Sequence, residues 1–122
     1  MTTVNLTKDT FEETITGEGL VLLDFWAEWC GPCRMFGPIF EAASEQHPDA
    51  VFAKIDTEAE QELAGSLNIM SIPTLMVARD GIVLFSQPGA LPAEALEQLI
   101  TQAKALDMDE VRAEIAAQQA NA

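Results

Sequence analysis

Residues 20–33 read LVLLDFWAEWCGPC, an apolar run that leads into the only two cysteines of the chain, Cys30 and Cys33. The first seven of these residues predict a strand buried on both faces, because Asp24 is their only charged residue. Pro32 is a typical first residue of a helix, so the five residues before it are predicted to form the loop between strand and helix. The sequence therefore predicts a strand, a loop and a helix, with both cysteines where the helix starts.

Short apolar runs and helical patterns alternate along the rest of the chain, which is typical of an α/β domain with a sheet covered on both faces. The Asp80-Gly81 pair predicts a hairpin turn, so the strands on either side of it are expected to be antiparallel neighbours. Met35, Phe36 and Ile39 have the spacing of a core-facing stripe on the second helix. The predicted strands span residues 2–5, 20–26, 51–56, 74–78 and 82–85, and the predicted helices begin near Thr10, Pro32, Glu60, Pro92 and Met108.

Composition limits the classes of partner. The chain has 122 residues, enough for one domain, and its 20 acidic and six basic side chains give a net charge of -14, which disfavours nucleic acids and anionic membranes. The first residues, MTTVN, lack the basic start and the apolar stretch of a signal peptide, and no apolar run approaches membrane-spanning length. We therefore expect a cytoplasmic protein. The acidic residues Glu58, Glu60 and Glu62 are expected to form a solvated helix face without a function.

The spacing of the two cysteines indicates redox chemistry. Residues at i and i+3 share one helix face, so the two thiols can close or open a disulfide with little backbone movement. The helix N-terminus favours thiolate at Cys30, the candidate nucleophile, and Cys33 is the candidate resolving thiol. Gly31 allows a tight turn beside the sulfurs, and Pro32 fixes the first helical φ. A zinc or iron–sulfur site usually needs four ligands, and this chain adds only His47, so such a site would have to be shared between two chains.

Asp24 is the second informative residue. A carboxylate inside a buried strand costs several kcal/mol unless it is neutralised or paired. Burial is expected to raise its pKa, which suits a group that takes a proton from Cys33 when that thiol attacks. The alternative is a structural carboxylate that is hydrogen-bonded to backbone or water.

Three segments carry a family resemblance: DFWAEWCGPC at residues 24–33, SIPT at 71–74 and GAL at 89–91. Their residues and order resemble the thioredoxin family over roughly residues 2–104. The resemblance implies the thioredoxin fold, with a central mixed β-sheet flanked by helices on both faces, in residues 1–105. Residues 106–122 then form a C-terminal helical extension.

The resemblance also assigns roles to individual residues. It implies that Asp24 is a general acid/base, with Lys54 on the neighbouring strand as its charge partner, although a lysine in a strand can equally extend to solvent. It implies a cis peptide bond before Pro73 and backbone hydrogen bonding of an extended substrate by Ile72. The expected substrate-binding residues are Trp29, Gly31, Pro32, Ile72, Pro73, Gly89 and Ala90.

The activity implied by the resemblance is reduction of protein disulfides by dithiol–disulfide exchange, which maintains the redox balance of the cell. The chain lacks a dinucleotide-binding glycine motif, so no bound cofactor is expected, and electrons are expected from NADPH through thioredoxin reductase. Candidate clients are ribonucleotide reductase, peroxiredoxins and methionine sulfoxide reductases, and the protein is expected to be a monomer. The alternative is a redox-inactive thioredoxin-like binding or chaperone subunit. A further possibility, an oxidant or isomerase of secreted proteins, is disfavoured by the lack of a signal-peptide pattern and by the Gly-Pro between the cysteines, which in the family is typical of reducing members.

Overall fold

A single mixed sheet forms the centre of the computed structural model, which describes residues 2–121. The five strands are β1 (Thr3–Asn5), β2 (Leu20–Trp26), β3 (Val51–Asp56), β4 (Thr74–Arg79) and β5 (Ile82–Pro88). Their spatial order is β1-β3-β2-β4-β5; β1 and β2 pair with β3 in parallel, and β4 pairs with β2 and β5 in antiparallel fashion. The helices are α1 (Lys8–Ile15), α2 (Gly31–Gln46), α3 (Gln61–Ser66), α4 (Ala93–Ala105) and α5 (Met108–Ala120).

Two hydrophobic clusters cover the two faces of the sheet, because alternate residues of β2 point to opposite sides. Leu20 and Leu22 pack with the apolar residues of α2 and α4. Val21, Leu23 and Phe25 pack on the other face with apolar residues of α1 and α3. The predicted mixed sheet with helices on both faces is therefore confirmed, and the period of two places Asp24 on the side of α2.

Two predictions from the sequence are wrong in detail. The N-cap of α1 is Thr7, not Thr10: the Thr7 hydroxyl accepts from the Asp9 amide, and Thr10 provides the side chain that closes the capping box. Met35 is 74% exposed and does not belong to the core, because the buried face of α2 runs through Phe36 and Phe40 instead. The first error arises because Thr7 and Thr10 are both typical capping residues, and the second because Met35 and Phe36 are adjacent apolar residues of which only one can face the core.

The last helix joins the body at one end. Asp107 caps α5 by accepting from the amides of Asp109 and Glu110, and Met108 is the only buried residue of this helix. The Arg79 guanidinium, at the end of β4, donates to the carbonyl oxygens of three residues that end α4 and precede α5: Ala103, Lys104 and Leu106. Among residues 2–121, no helix is long and apolar enough to cross a membrane.

Candidate active site

The two cysteines form a disulfide where the loop after β2 meets α2. α2 starts at Gly31, one residue earlier than predicted from Pro32; Cys30 is its N-cap, and the Cys30 Sγ accepts a hydrogen bond of 3.2 Å from the Cys33 amide. The Cα atoms of the two residues are 5.2 Å apart, and their side chains are 4% and 5% exposed. A backbone N–H and the N-terminal end of the helix dipole thus point at the Cys30 sulfur, which is the arrangement that favours thiolate.

The loop before β4 forms the opposite wall of the site. The Ile72-Pro73 peptide bond is cis, and the Ile72 carbonyl oxygen lies 3.7 Å from the Cys30 Sγ. The Gly89 amide donates to the Pro73 carbonyl oxygen at 2.8 Å, which attaches the exposed Gly89-Ala90 segment to the same wall. Gly89 has φ +112°, a backbone conformation that residues with a side chain adopt only with strain. A glycine therefore suits the turn after β5. The fold therefore brings together the residues that the sequence placed in three separate segments.

Trp29, Gly31 and Pro32 are exposed beside the disulfide. The Trp29 ring is 67% exposed, and its Nε1 donates to Glu58 Oε1 at 2.5 Å. Glu58 therefore orients the aromatic side chain that precedes Cys30, a contact that the sequence analysis missed because it treated Glu58 as part of a solvated face. No local pattern joins residues 29 and 58; only the fold of the chain places them together.

Asp24 is fully buried in β2, and neither carboxylate oxygen has a hydrogen-bond partner among the described residues. Burial raises the pKa of Asp24 to about 6, and the positive charge of Lys54 opposes part of that rise. Lys54 is the register partner of Asp24 on β3, but the ammonium does not approach it within ion-pair distance; it lies 5.0 Å from the Trp26 ring centroid. No hydrogen bond to backbone holds Asp24, so the predicted structural role of that kind finds no support.

His47 lies away from the two cysteines. Its Nε2 contacts the Glu97 carboxylate at 2.9 Å, its Nδ1 contacts Lys104 Nζ at 2.7 Å, and its ring stacks on Phe52. The fold thus separates His47, the additional metal ligand suggested by the sequence, from the Cys pair. Within residues 2–121, no group of three or more His, Cys, Asp or Glu side chains is arranged to hold a metal ion.

Comparison with known proteins agrees with this geometry. The family model described as thioredoxin matches residues 2–102, most of the chain. The chain belongs to the thioredoxin family. Among curated relatives, a protein called putative thioredoxin 2 from Streptomyces coelicolor is 58% identical over 120 residues, covering 98% of this chain and 90% of the relative. The thioredoxin of Bacillus subtilis is 47% identical over 88 residues, covering 71% of this chain and 85% of the relative.

A solved thioredoxin structure supports the same assignment. A single-substitution mutant of the thioredoxin from Halobacterium salinarum superposes with a TM-score of 0.78 at 33% identity and covers 86% of this chain and 92% of that one. Family membership and the Cys30–Cys33 pair identify the chain as a thiol–disulfide oxidoreductase that reduces protein disulfides. Thioredoxins act with thioredoxin reductase and with disulfide-containing clients, and they need no bound cofactor.

Proposed function

We infer that this thioredoxin works in the cytoplasm as a monomeric reductase of client disulfides, with electrons that come from NADPH through thioredoxin reductase. The observation that carries the mechanism is the position of Cys30, whose sulfur caps α2 and lies 3.7 Å from the Ile72 carbonyl oxygen. Cys30 is the nucleophile, because the helix N-terminus stabilises its thiolate and the exposed residues of the site surround it. Cys33 is the resolving thiol.

The reaction has two exchange steps that balance. The Cys30 thiolate attacks one sulfur of the client disulfide, forms a mixed disulfide, and releases the other client sulfur as a thiolate that takes up a proton. Cys33 then loses its proton to Asp24 and attacks the Cys30 sulfur, which breaks the mixed disulfide and releases the second client thiol. The products are a reduced client and the Cys30–Cys33 disulfide, which thioredoxin reductase reduces again with two electrons.

Asp24 suits the proton-transfer step because of its surroundings. A carboxylate with a pKa of about 6 is mostly ionised at neutral pH, yet it is a stronger base than an ordinary aspartate. Burial without hydrogen bonds raises the pKa of Asp24, which makes the carboxylate a stronger base, and the positive charge of Lys54 limits that rise, so the carboxylate still ionises near neutral pH. We assign Asp24 the role of general base for Cys33 and Lys54 the role of its electrostatic partner.

The client is proposed to bind along the wall that contains the cis-proline. An extended client segment would pair with the backbone of Ile72, as an added strand does, which presents a disulfide to Cys30 with little dependence on client sequence. The surrounding contact residues are Trp29, Gly31, Pro32, Pro73, Gly89 and Ala90. Ribonucleotide reductase, peroxiredoxins and methionine sulfoxide reductases are the proposed clients, because each of these enzymes forms a disulfide in its cycle. Residues 106–122 are proposed to be an extension of a catalytic domain in residues 1–105.

The redox potential of the Cys30–Cys33 pair, measured together with an NADPH-coupled reductase assay on insulin, tests this function. We expect a reducing value close to about -270 mV, the potential already characteristic of thioredoxin itself, and continuous turnover with thioredoxin reductase. A double Cys→Ser variant is the matched control for background reduction. A potential near about -180 mV, as in protein disulfide isomerase, or no turnover with the reductase, would contradict the proposal.

A further inference from the structure

A groove of about 380 Å³ lies beside Cys33, between α2 and the strands β2 and β3. Cys33, Gly37 and Glu41 line it from α2 at four-residue spacing, so they share one face of that helix. Trp26 and Lys54 line it from the sheet. The groove therefore connects the resolving thiol with an acidic side chain, Glu41, that the mechanism above does not use.

Two residues that line this groove, Trp26 and Glu41, carry buried polar atoms, and so does Asp24, the register partner of Lys54. Among the described residues, only Asp24, Trp26 and Glu41 have buried side-chain oxygen or nitrogen atoms without a hydrogen-bond partner. Asp24 is the register partner of Lys54, the Trp26 ring lies 5.0 Å from the Lys54 ammonium, and Glu41 shares the groove with it. Three polar side chains of the sheet and of α2 therefore lie near one cation, Lys54.

Glu41 is held in place at this groove. Its Oε2 accepts a hydrogen bond of 2.7 Å from the Thr3 hydroxyl on β1, while its Oε1 is buried and unpaired. A Cβ atom at Gly37 would lie 3.7 Å from Lys54 Nζ, so the ammonium passes close to α2 one turn before Glu41. The ammonium thus lies in a groove that Glu41 also lines from the helix, while Asp24 is the register partner of Lys54 on the sheet.

The geometry points to Glu41 as a positioning residue that competes with Asp24 for the Lys54 ammonium and so limits how far Lys54 neutralises Asp24. This inference rests on the proposed role of Asp24 as the base for Cys33. Lys54 opposes the rise in the pKa of Asp24, so a second carboxylate that attracts the same cation keeps Asp24 more basic.

Other charges near Asp24 are few. Glu28 and Arg34 line the same groove, but both are exposed, so solvent and salt screen them. On the other side of Asp24, its register partner on β4 is Leu75, which carries no charge. In the oxidised protein, Cys33 is part of the disulfide and has no thiol that could titrate. In that state, burial and Lys54 set the midpoint of the Asp24 titration, so a change in the midpoint on substitution of Glu41 does not arise from the Cys33 thiol.

A carbon-13 NMR titration of the Asp24 carboxyl group in the oxidised protein tests the inference. We expect Glu41→Gln to lower the midpoint by about half a pH unit, because Lys54 then acts on Asp24 alone. Glu45→Gln makes the same charge change at an exposed position of α2 and is expected to leave the midpoint unchanged. In a Lys54→Met background, the effect of Glu41→Gln is expected to vanish.

Three results would overturn the inference: no change of the midpoint in Glu41→Gln, an equal change in Glu45→Gln, or a change that persists in full without Lys54. Rates separate the inference from the function on which it rests. In Glu41→Gln, slower resolution of the mixed disulfide at an unchanged rate of formation supports both. A shifted titration with an unchanged rate of resolution upholds the competition for Lys54 and contradicts the role of Asp24 as the base.

Discussion

Asp24 combines two properties that oppose each other at the scale of one residue. Complete burial without a hydrogen bond disfavours its charged form, whereas the nearby Lys54 favours it, and the result is a pKa of about 6. A carboxyl group placed in this way exchanges protons readily near neutral pH. The same carboxylate is costly for the fold, and the proposed role as base for Cys33 would account for its presence in a central strand.

Replacement of Asp24 separates the two exchange steps. We expect Asp24→Asn to slow the release of the mixed disulfide by about 10²-fold or more at pH 7, because the Cys33 thiol then lacks its base. Formation of the mixed disulfide is expected to change little, since Cys30 depends on the helix N-terminus instead. Single-turnover kinetics with a chromogenic disulfide measures both steps. Equal effects on the two steps would show that Asp24 is only structural.

Some residues of the site can be predicted from the sequence, and others cannot. Cys30, Cys33 and Asp24 could be predicted because each breaks or completes a local pattern: two thiols at i and i+3, and a charge inside an apolar run. The contact of Glu58 with Trp29 and the position of Glu41 could not, because both depend on side chains that meet across elements. Contacts of this kind leave no periodic signal in a single sequence.

At the scale of elements, the strands were predicted more closely than the helix ends. The predicted bounds of β2 and β3 match the structure, because a continuous apolar run marks a strand that is buried on both faces. β5 extends three residues past its predicted end, to Pro88, along the exposed edge of the sheet where apolar patterning is weaker. The start of α1 was missed because Thr7 and Thr10 are both typical capping residues, and the exposure of Met35 was missed because its neighbour Phe36 takes the core-facing position.

The extension beyond α4 is held by few contacts, and these are away from the two cysteines. We expect deletion of residues 106–122 to leave insulin reduction intact but to lower the melting temperature, because burial of Met108 and the acceptor that Leu106 offers to Arg79 are both lost. Deletion of residues 109–122 is the matched control, since it keeps both contacts and is expected to change the melting temperature less. Loss of reductase activity in either variant would show that α5 takes part in the reaction.

Asp24 also links the stability of the whole molecule to pH. The folded state raises its pKa from the ordinary 3.8 to about 6, so the folded state binds the proton more tightly than the unfolded chain. The contribution to stability is fully present below about pH 4 and is lost as pH rises through about 6, and a difference of about two pH units corresponds to about 3 kcal/mol.

Urea unfolding between pH 4 and pH 8 measures this linkage. The net charge of -14 adds its own dependence on pH, so the difference between wild type and Asp24→Asn isolates the contribution of one residue. We expect the variant to become more stable than wild type as pH rises, with a gain on the order of 2–3 kcal/mol at pH 8. Parallel stability curves for the two proteins would contradict the raised pKa.

Cys30 is proposed to attack the client disulfide and Cys33 to release the client. Trapping of a client disulfide on single-cysteine variants tests these two roles most directly. Cys33→Ser leaves the nucleophile in place and removes the resolving thiol, so a stable mixed disulfide to Cys30 is expected, visible as a covalent adduct by mass spectrometry. Cys30→Ser keeps only Cys33, which lies inside α2 rather than at its N-cap position, and is expected to give no adduct under the same conditions. Equal trapping by both variants, or trapping by Cys30→Ser alone, would contradict the assignment of Cys30 as the attacking thiol and Cys33 as the releasing one.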